Sequence, residues 1–109
     1  MEDEYLTLID VFLKDSDLRM ALFRQASRTM TFDRPSLNMG ELGLAAHSFK
    51  GSSSNMGAVL LSELCLRLEE QARREQPEGL EQLIALIDEE YQSIRQLFEA
   101  ERQTLMAQT

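Results

Sequence analysis

An all-α fold, an antiparallel up-down four-helix bundle with a short additional N-terminal helix, is predicted by three features of this sequence. Leu, Glu, Gln, Arg, Ala and Met dominate while β-branched residues are few, which favours helix over strand. Apolar residues recur at three- and four-residue spacing, and no alternating run bounded by hairpin turns interrupts them. Breaker residues are confined to short stretches between these runs, so consecutive helices pack as antiparallel neighbours. With 109 residues, 43% of them apolar, residues 1–109 are expected to form one domain around one core.

Five helical segments are expected in order. Residues 3–14 place Leu6, Ile9, Phe12 and Leu13 at helical spacing, and "KDSD" at 14–17 then offers capping chemistry. Ser16 or Asp15 is expected to cap a second helix carrying Leu18, Leu22, Ala26 and Met30. "TFDRPSLNMG" reads as a loop built around Pro35. A third helix, from about 37 to 54, has Leu42, Ala46, Phe49, Ser53 and Met56 on one core stripe. The fourth begins near Gly57 and buries Leu61, Leu64, Cys65, Leu68 and Ala72. "EQPEG" closes it, with Pro77 near the start of the fifth. In that last helix Leu80, Leu83, Ile84, Ile87, Tyr91, Ile94 and Phe98 alternate by three and four, and fraying is expected within "AERQTLMAQT". The short first helix is expected to lie across one end.

Charge narrows the function classes. Eleven basic against 19 acidic residues give a net charge of −8, which argues against nucleic acid and against anionic membranes. "MEDEYLTLID" has neither a basic region nor an apolar run, so no signal peptide is expected, and no apolar stretch reaches bilayer length. A single cysteine, Cys65, excludes an internal disulfide framework. A cytoplasmic protein is the expectation.

The stretch "AAHSFKGSSSNMGA", residues 45–58, carries the chemistry. The chain's only histidine, His47, lies about 150° round the third helix from the centre of the apolar stripe, and so faces solvent. Gly43, Leu44, Lys50, Gly51 and Ser54 share that face by the three- and four-residue rule. Four of the five glycines fall between 40 and 57, although a mid-helix Gly costs about 1 kcal/mol relative to Ala. Close approach by another molecule explains the clustering: Gly51 removes the side chain that would hold a partner away. Lys50 supplies a cation for charge on a transferred phosphoryl group. Ser54 is placed to hydrogen-bond an incoming oxygen. On the bland alternative, the histidine is incidental and the glycines only permit helix packing.

"HSFKGSSSNMGA" resembles the signature of the histidine-containing phosphotransfer (HPt) domain family of bacterial multistep phosphorelays, matching it at His47, Lys50, Gly51, Ser52, Ser53, Gly57 and Ala58. The following "LLSELCLRLEEQAR" is similar to that family's next helix at Leu61, Leu64, Cys65, Leu68 and Glu69. The resemblance implies that His47 carries a phosphoryl group, at Nε2, received from a receiver-domain aspartate of a hybrid sensor kinase and passed to that of a response regulator. It implies no cofactor in this chain, with Mg²⁺ belonging to the receiver. It makes His47, Lys50 and Gly51 the reacting group and its helpers, and Gly43, Leu44 and Ser54 the partner-binding surface. Phe49, between His47 and Lys50, is expected in the core. A stand-alone, monomeric phosphocarrier rather than an enzyme is the leading expectation. The alternatives are a non-catalytic helical adaptor, or a dimerisation and phosphoacceptor fragment of a histidine kinase; the long last helix is the candidate for dimerisation.

Other signals carry less. "GSSSNMG" lacks the Gly-Lys-[Ser/Thr] ending of a phosphate loop, and no ATP-binding or hydrolase motif appears. No acid is expected to orient His47, and the glutamates of "RLEEQARRE" read as a solvated helix face. Cys65 is expected to be a buried thiol, Met30 and Met56 core filler, and Met20 and Met39 contributors to an apolar docking patch. Arg19 and Arg24 are charged docking candidates without a motif.

Overall fold

The computed structural model describes residues 4–29 and 39–108. They form four helices: α1 (Glu4–Thr29), α2 (Met39–Asn55), α3 (Val59–Arg73) and α4 (Leu80–Ala107), with no strand among the described residues. The predicted Pro35 loop and Met30 lie outside the described residues.

The four-helix bundle is as expected, but the separate N-terminal helix does not exist, because α1 runs unbroken through Lys14–Asp17. Ser16 is fully buried there, on the same stripe as Ile9, Phe12, Leu13, Met20, Phe23 and Ala26. That stripe continues at three- and four-residue steps straight across the expected cap, and core packing outweighs the local preference of Ser and Asp for a helix end. The expected second-helix stripe is displaced accordingly: Leu18 and Leu22 are exposed, and Met20, expected in a docking patch, is core. Asp17 is occupied across the bundle by the Arg95 guanidinium and by the Tyr91 hydroxyl, which donates to it at 2.6 Å.

The stripes expected for the other three helices are buried as read, with Met56 and Ile94 packed partly buried against them. The last helix ends within the stretch where fraying is expected. It extends to Ala107, with Leu105 on the core and Arg102 paired to Asp10. Arg24 also proves to be scaffold, donating to both oxygens of Asp88 at 2.9 and 2.7 Å. These pairs set the register of α1 against α4, though exposed pairs are individually worth only about 0–1 kcal/mol.

By the 1.5 Å rise per residue, α1 and α4 are about 39 and 42 Å long, and α2 and α3 only about 26 and 22 Å. The short pair forms an antiparallel hairpin lying on the long pair, and the molecule measures 54 × 20 × 18 Å. Gly57 makes the hairpin turn at φ 78°, with Ala58 N–H donating to the Ser53 carbonyl at 2.8 Å and Gly57 N–H to that of Ser54 at 3.0 Å. That is a left-handed helix end, satisfying carbonyls that α2 would otherwise leave unpaired. Inside, a run of rings joins Phe23, Phe49, Tyr91, Phe12 and Phe98, with centroids 5.5–6.5 Å apart. Phe49 is wholly buried in that run. It therefore anchors α2 from the side opposite His47, which fixes the direction in which the histidine points.

Candidate functional site

The His47 side chain is 58% exposed, as its place on the helix requires. One nitrogen is nevertheless held: Nδ1 lies 2.9 Å from Oε2 of Glu69 on α3. The expectation that no acid orients the histidine is overturned by this contact. Glu69 belongs to "RLEEQARRE", read as a solvated face, yet it is 2% exposed while its neighbour Glu70 is exposed. Its place on α3 explains the difference. Glu69 shares the buried face with Leu61, Cys65, Leu68 and Ala72, but at the edge facing α2 rather than α4.

Lys50 Nζ donates to Glu69 Oε1 at 3.0 Å, and Arg73, one turn further along α3, pairs with Oε2 at 2.5 Å. Burial pushes the Glu69 carboxyl up, but hydrogen bonds from Lys50 and His47 and the charge of Arg73 more than offset it, and the net shift is downward. Glu69 is thus ionised at neutral pH and can only accept hydrogen bonds. His47 Nδ1 must then carry the ring proton, which leaves the Nε2 lone pair free on the exposed part of the ring. Two basic side chains, Lys50 and Arg73, thus share the one carboxylate that holds the ring.

The α2 and α3 helices are joined here as well, since Ser62 Oγ donates to the Lys50 carbonyl at 3.1 Å. Gly51 is exposed, and a Cβ built on it meets nothing within 4 Å. No neighbour within the described residues needs that glycine. Gly43 differs: it is buried at the α2–α3 seam, where a Cβ would make an ordinary contact with the Cβ of Ala72 at 3.5 Å. Leu44 is 72% exposed and Ser54 is exposed. Met39 is partly buried against the core and borders a shallow groove that runs along the α2–α3 seam to His47.

Besides Glu69 and Arg73, sequence reasoning missed Leu66. It is 40% exposed and stands on α3 between Ser62 and Glu69, the two residues that reach across to Lys50 and His47. The clue to Glu69 was positional, for it immediately follows the buried Leu68 in a helix with few other acids near its apolar edge. Cys65 is buried as expected, and burial pushes its thiol up to about 12. Among the described residues, no group of three or more His, Cys, Asp or Glu is arranged to hold a metal ion. Among them, no helix is long and apolar enough to cross a membrane.

Comparison with known proteins agrees with this fold. A family model described as the Hpt domain matches residues 7–103. The crystal structure of histidine-containing phosphotransfer protein B (HptB) from Pseudomonas aeruginosa PAO1 is similar, with a TM-score of 0.83 and 42% identity over 95% of this chain and 84% of that one. A histidine-containing phosphotransfer protein from maize, ZmHP2, shares the fold, with a TM-score of 0.77 at 19% identity over 90% of this chain and 75% of that one. A search of curated proteins found no match.

Proposed function

The chain belongs to the Hpt domain family and is a phosphorelay intermediate, and from that premise we propose that His47 is its phosphoryl carrier and Nε2 the atom that takes the load. The observation that carries this reading is the outward imidazole held at Nδ1 by a buried, ionised Glu69. Hpt proteins are phosphocarriers rather than catalysts, and their partners are receiver domains of kinases and response regulators. Here the donor would be an aspartyl phosphate on a hybrid kinase's receiver and the acceptor the aspartate of a response regulator. The chain would work as a monomer in the cytoplasm, with no cofactor of its own and Mg²⁺ held by the receiver.

In the accepting step the Nε2 lone pair attacks phosphorus as the bond from phosphorus to the partner's carboxylate oxygen breaks. The bonding pair leaves with that carboxylate. The proton stays on Nδ1, so the phosphorylated ring carries a positive charge, which the Glu69 carboxylate stabilises through the hydrogen bond already in place. Delivery is the reverse: the ring leaves phosphorus as a neutral imidazole while the acceptor carboxylate attacks. Transfer through a loose transition state asks for positioning and charge neutralisation. Lys50, tethered by Glu69, supplies the second of these, and Glu69 is a positioning residue for both.

Docking needs bare backbone beside the ring. Gly51 and Ser54 on one side, and Leu44 and Leu66 around the ring, form the face on which a receiver would seat, with Gly43 contributing backbone to the adjoining groove. The two sequence alternatives fit less well. One chain supplies all four helices of the bundle around a single histidine, whereas a dimerisation fragment expects two chains.

Label transfer from a phosphorylated receiver domain tests the proposal. Acid-labile, alkali-stable phosphate should appear on the wild type and not on His47→Gln. Equal labelling of the two proteins, or none on the wild type from any receiver in a panel, would overturn it.

A further inference from the structure

The end of α3 holds a charged side chain in a conformation that favours glycine. Glu75 has φ 53°, the one residue other than glycine with a positive φ among those described. It closes α3 as a left-handed cap: its N–H donates to the Ala72 carbonyl at 3.1 Å, and that of Gln76 reaches back to the Gln71 carbonyl at 3.2 Å. The Gln71 amide ties the turn down, donating to the carbonyls of Gln76 and Glu78 at 2.9 and 2.7 Å. Glycine is the usual residue at such a position because it has no Cβ to crowd the backbone. Glu75 is exposed, and its carboxylate is paired with no cation among the described residues, so no contact within the fold accounts for it.

Its place beside the histidine does. Gly43 meets Ala72 and His47 meets Glu69, so the antiparallel seam sets Glu75 against Met39 and Gly40, two turns or about 10 Å along α2 from His47. One groove of about 400 Å³ joins them, with His47 towards one end, Glu75 towards the other, and Gly40, Gly43, Leu44 and Ala72 between. We propose that Glu75 selects among receiver domains by taking a basic side chain of the docked receiver, whose stem lies along this groove. The inference rests on His47 being the carrier on which a receiver seats, as proposed above. Contact at the reacting atoms alone leaves a partner free to turn about the axis through the ring. A second contact of opposite charge, two turns away, fixes that rotation and excludes partners with an acidic group there. The groove has small and apolar walls and a carboxylate at its far end, which suits the long stem and charged head of Lys or Arg. The matching receiver therefore carries a basic residue about 10 Å from its aspartyl phosphate.

Affinity for the receiver domain that labels the wild type in the transfer assay tests this, measured by calorimetry at low and high salt. Glu75→Gln keeps the length of the side chain and removes its charge. Its dissociation constant should rise about two- to fivefold at low salt, the range of an exposed ion pair, and the difference should fade as salt is raised. Glu75→Gly should lose the same affinity while melting about 2–5 °C higher, because the left-handed cap is relieved, so the loss cannot come from unfolding. Glu75→Lys should weaken binding further, and changing one Lys or Arg beside the receiver's phosphorylation site to Glu should restore it. Unchanged affinity in Glu75→Gln at low salt, or a loss that high salt does not diminish, overturns the proposal while leaving the carrier reading intact. A wild type that no receiver labels at His47 overturns both.

Discussion

Replacing Glu69 by Gln keeps the size and planarity of the side chain and removes its charge, so it isolates what the buried carboxylate does. Three donors converge on its two oxygens: His47 Nδ1, Lys50 Nζ and Arg73 Nη2. An amide offers one oxygen and turns an NH₂ towards whichever donors stood at the other position. At least one charge-assisted contact is therefore lost, worth about 1.5–3 kcal/mol where both groups are buried. Lys50 and Arg73 can partly retreat to water, being 29% and 70% exposed, which lowers the net loss of stability to about 1–2 kcal/mol. For a domain of this length that is a fall in melting temperature of roughly 5–15 °C.

The functional loss is separable from the structural one. Without the carboxylate nothing holds the ring proton on Nδ1, and the cationic phosphorylated ring loses its counter-charge. If the hydrogen bond gains about 1.4–2.7 kcal/mol as the ring becomes charged, phosphoryl transfer should slow by about 10- to 100-fold. Rapid-quench transfer from a phosphorylated receiver measures the rate, and ¹⁵N NMR of the ring reports the tautomer. The wild type should hold its proton on Nδ1, and Glu69→Gln should shift population to Nε2. A variant that transfers within about twofold of the wild-type rate, with the Nδ1-protonated tautomer still dominant, would refute the reasoning, whatever its melting temperature.

Other expectations come from the same geometry. Gly51→Ala has room for its methyl group and should raise stability by about 0.5–1 kcal/mol in thermal or urea unfolding; Gly51→Gln should fold as well but slow transfer from a receiver, and undiminished transfer and receiver affinity would remove the docking role. Lys50→Ala should slow transfer more than it weakens receiver binding, measured by quench kinetics and calorimetry; an unchanged rate excludes Lys50 from the chemistry. Asp17 is held low chiefly by the Arg95 hydrogen bond, Asp88 chiefly by that of Arg24, and Glu69 by Lys50, His47 and Arg73 against the opposing effect of its burial. Carboxyls depressed on folding stabilise the native state above their unfolded values of 3.8 and 4.5 and lose that contribution as pH falls through the lower folded values. The urea midpoint should therefore hold from about pH 7 to about 5 and fall steeply below about 4; a midpoint that rises on acidification would contradict these pairings.

Much of this was legible because helical periodicity is a strong signal where one face is uniformly apolar. The α2 stripe from Leu42 to Ser53 and the α4 stripe from Leu80 to Phe98 needed nothing else, and the same arithmetic put His47 outside. It failed at Ser16, where a polar residue on the buried stripe looked like an end and the exposed Leu18 and Leu22 looked like a beginning. It failed again at Glu69. A charged residue next to an apolar stripe is solvated unless another helix brings it partners, and the partners of Glu69 stand 19 and 22 residues earlier in the chain. Periodicity within one helix cannot register a contact between two.

Gly43 and Gly51 show what the second helix adds. They lie two turns apart on α2 and look equivalent in the sequence, both on the histidine face. Packing α3 alongside separates them: Gly43 meets Ala72 at the seam, and Gly51 meets nothing. The helix that covers the first glycine also delivers Glu69 and Arg73 to the histidine, so one packing event closes the scaffold side of the ring and leaves the other open. The electrostatics follow the same division. The molecule as a whole carries −8, yet Lys50 and Arg73 bring two basic side chains to the one carboxylate that holds the ring. With a Debye length of about 8 Å at physiological salt, a docked phosphoryl group feels those nearby basic groups more than the distant acidic surface. An acidic protein can in this way receive a dianion, provided that the cations sit on a rigid carboxylate and not on freely moving chains.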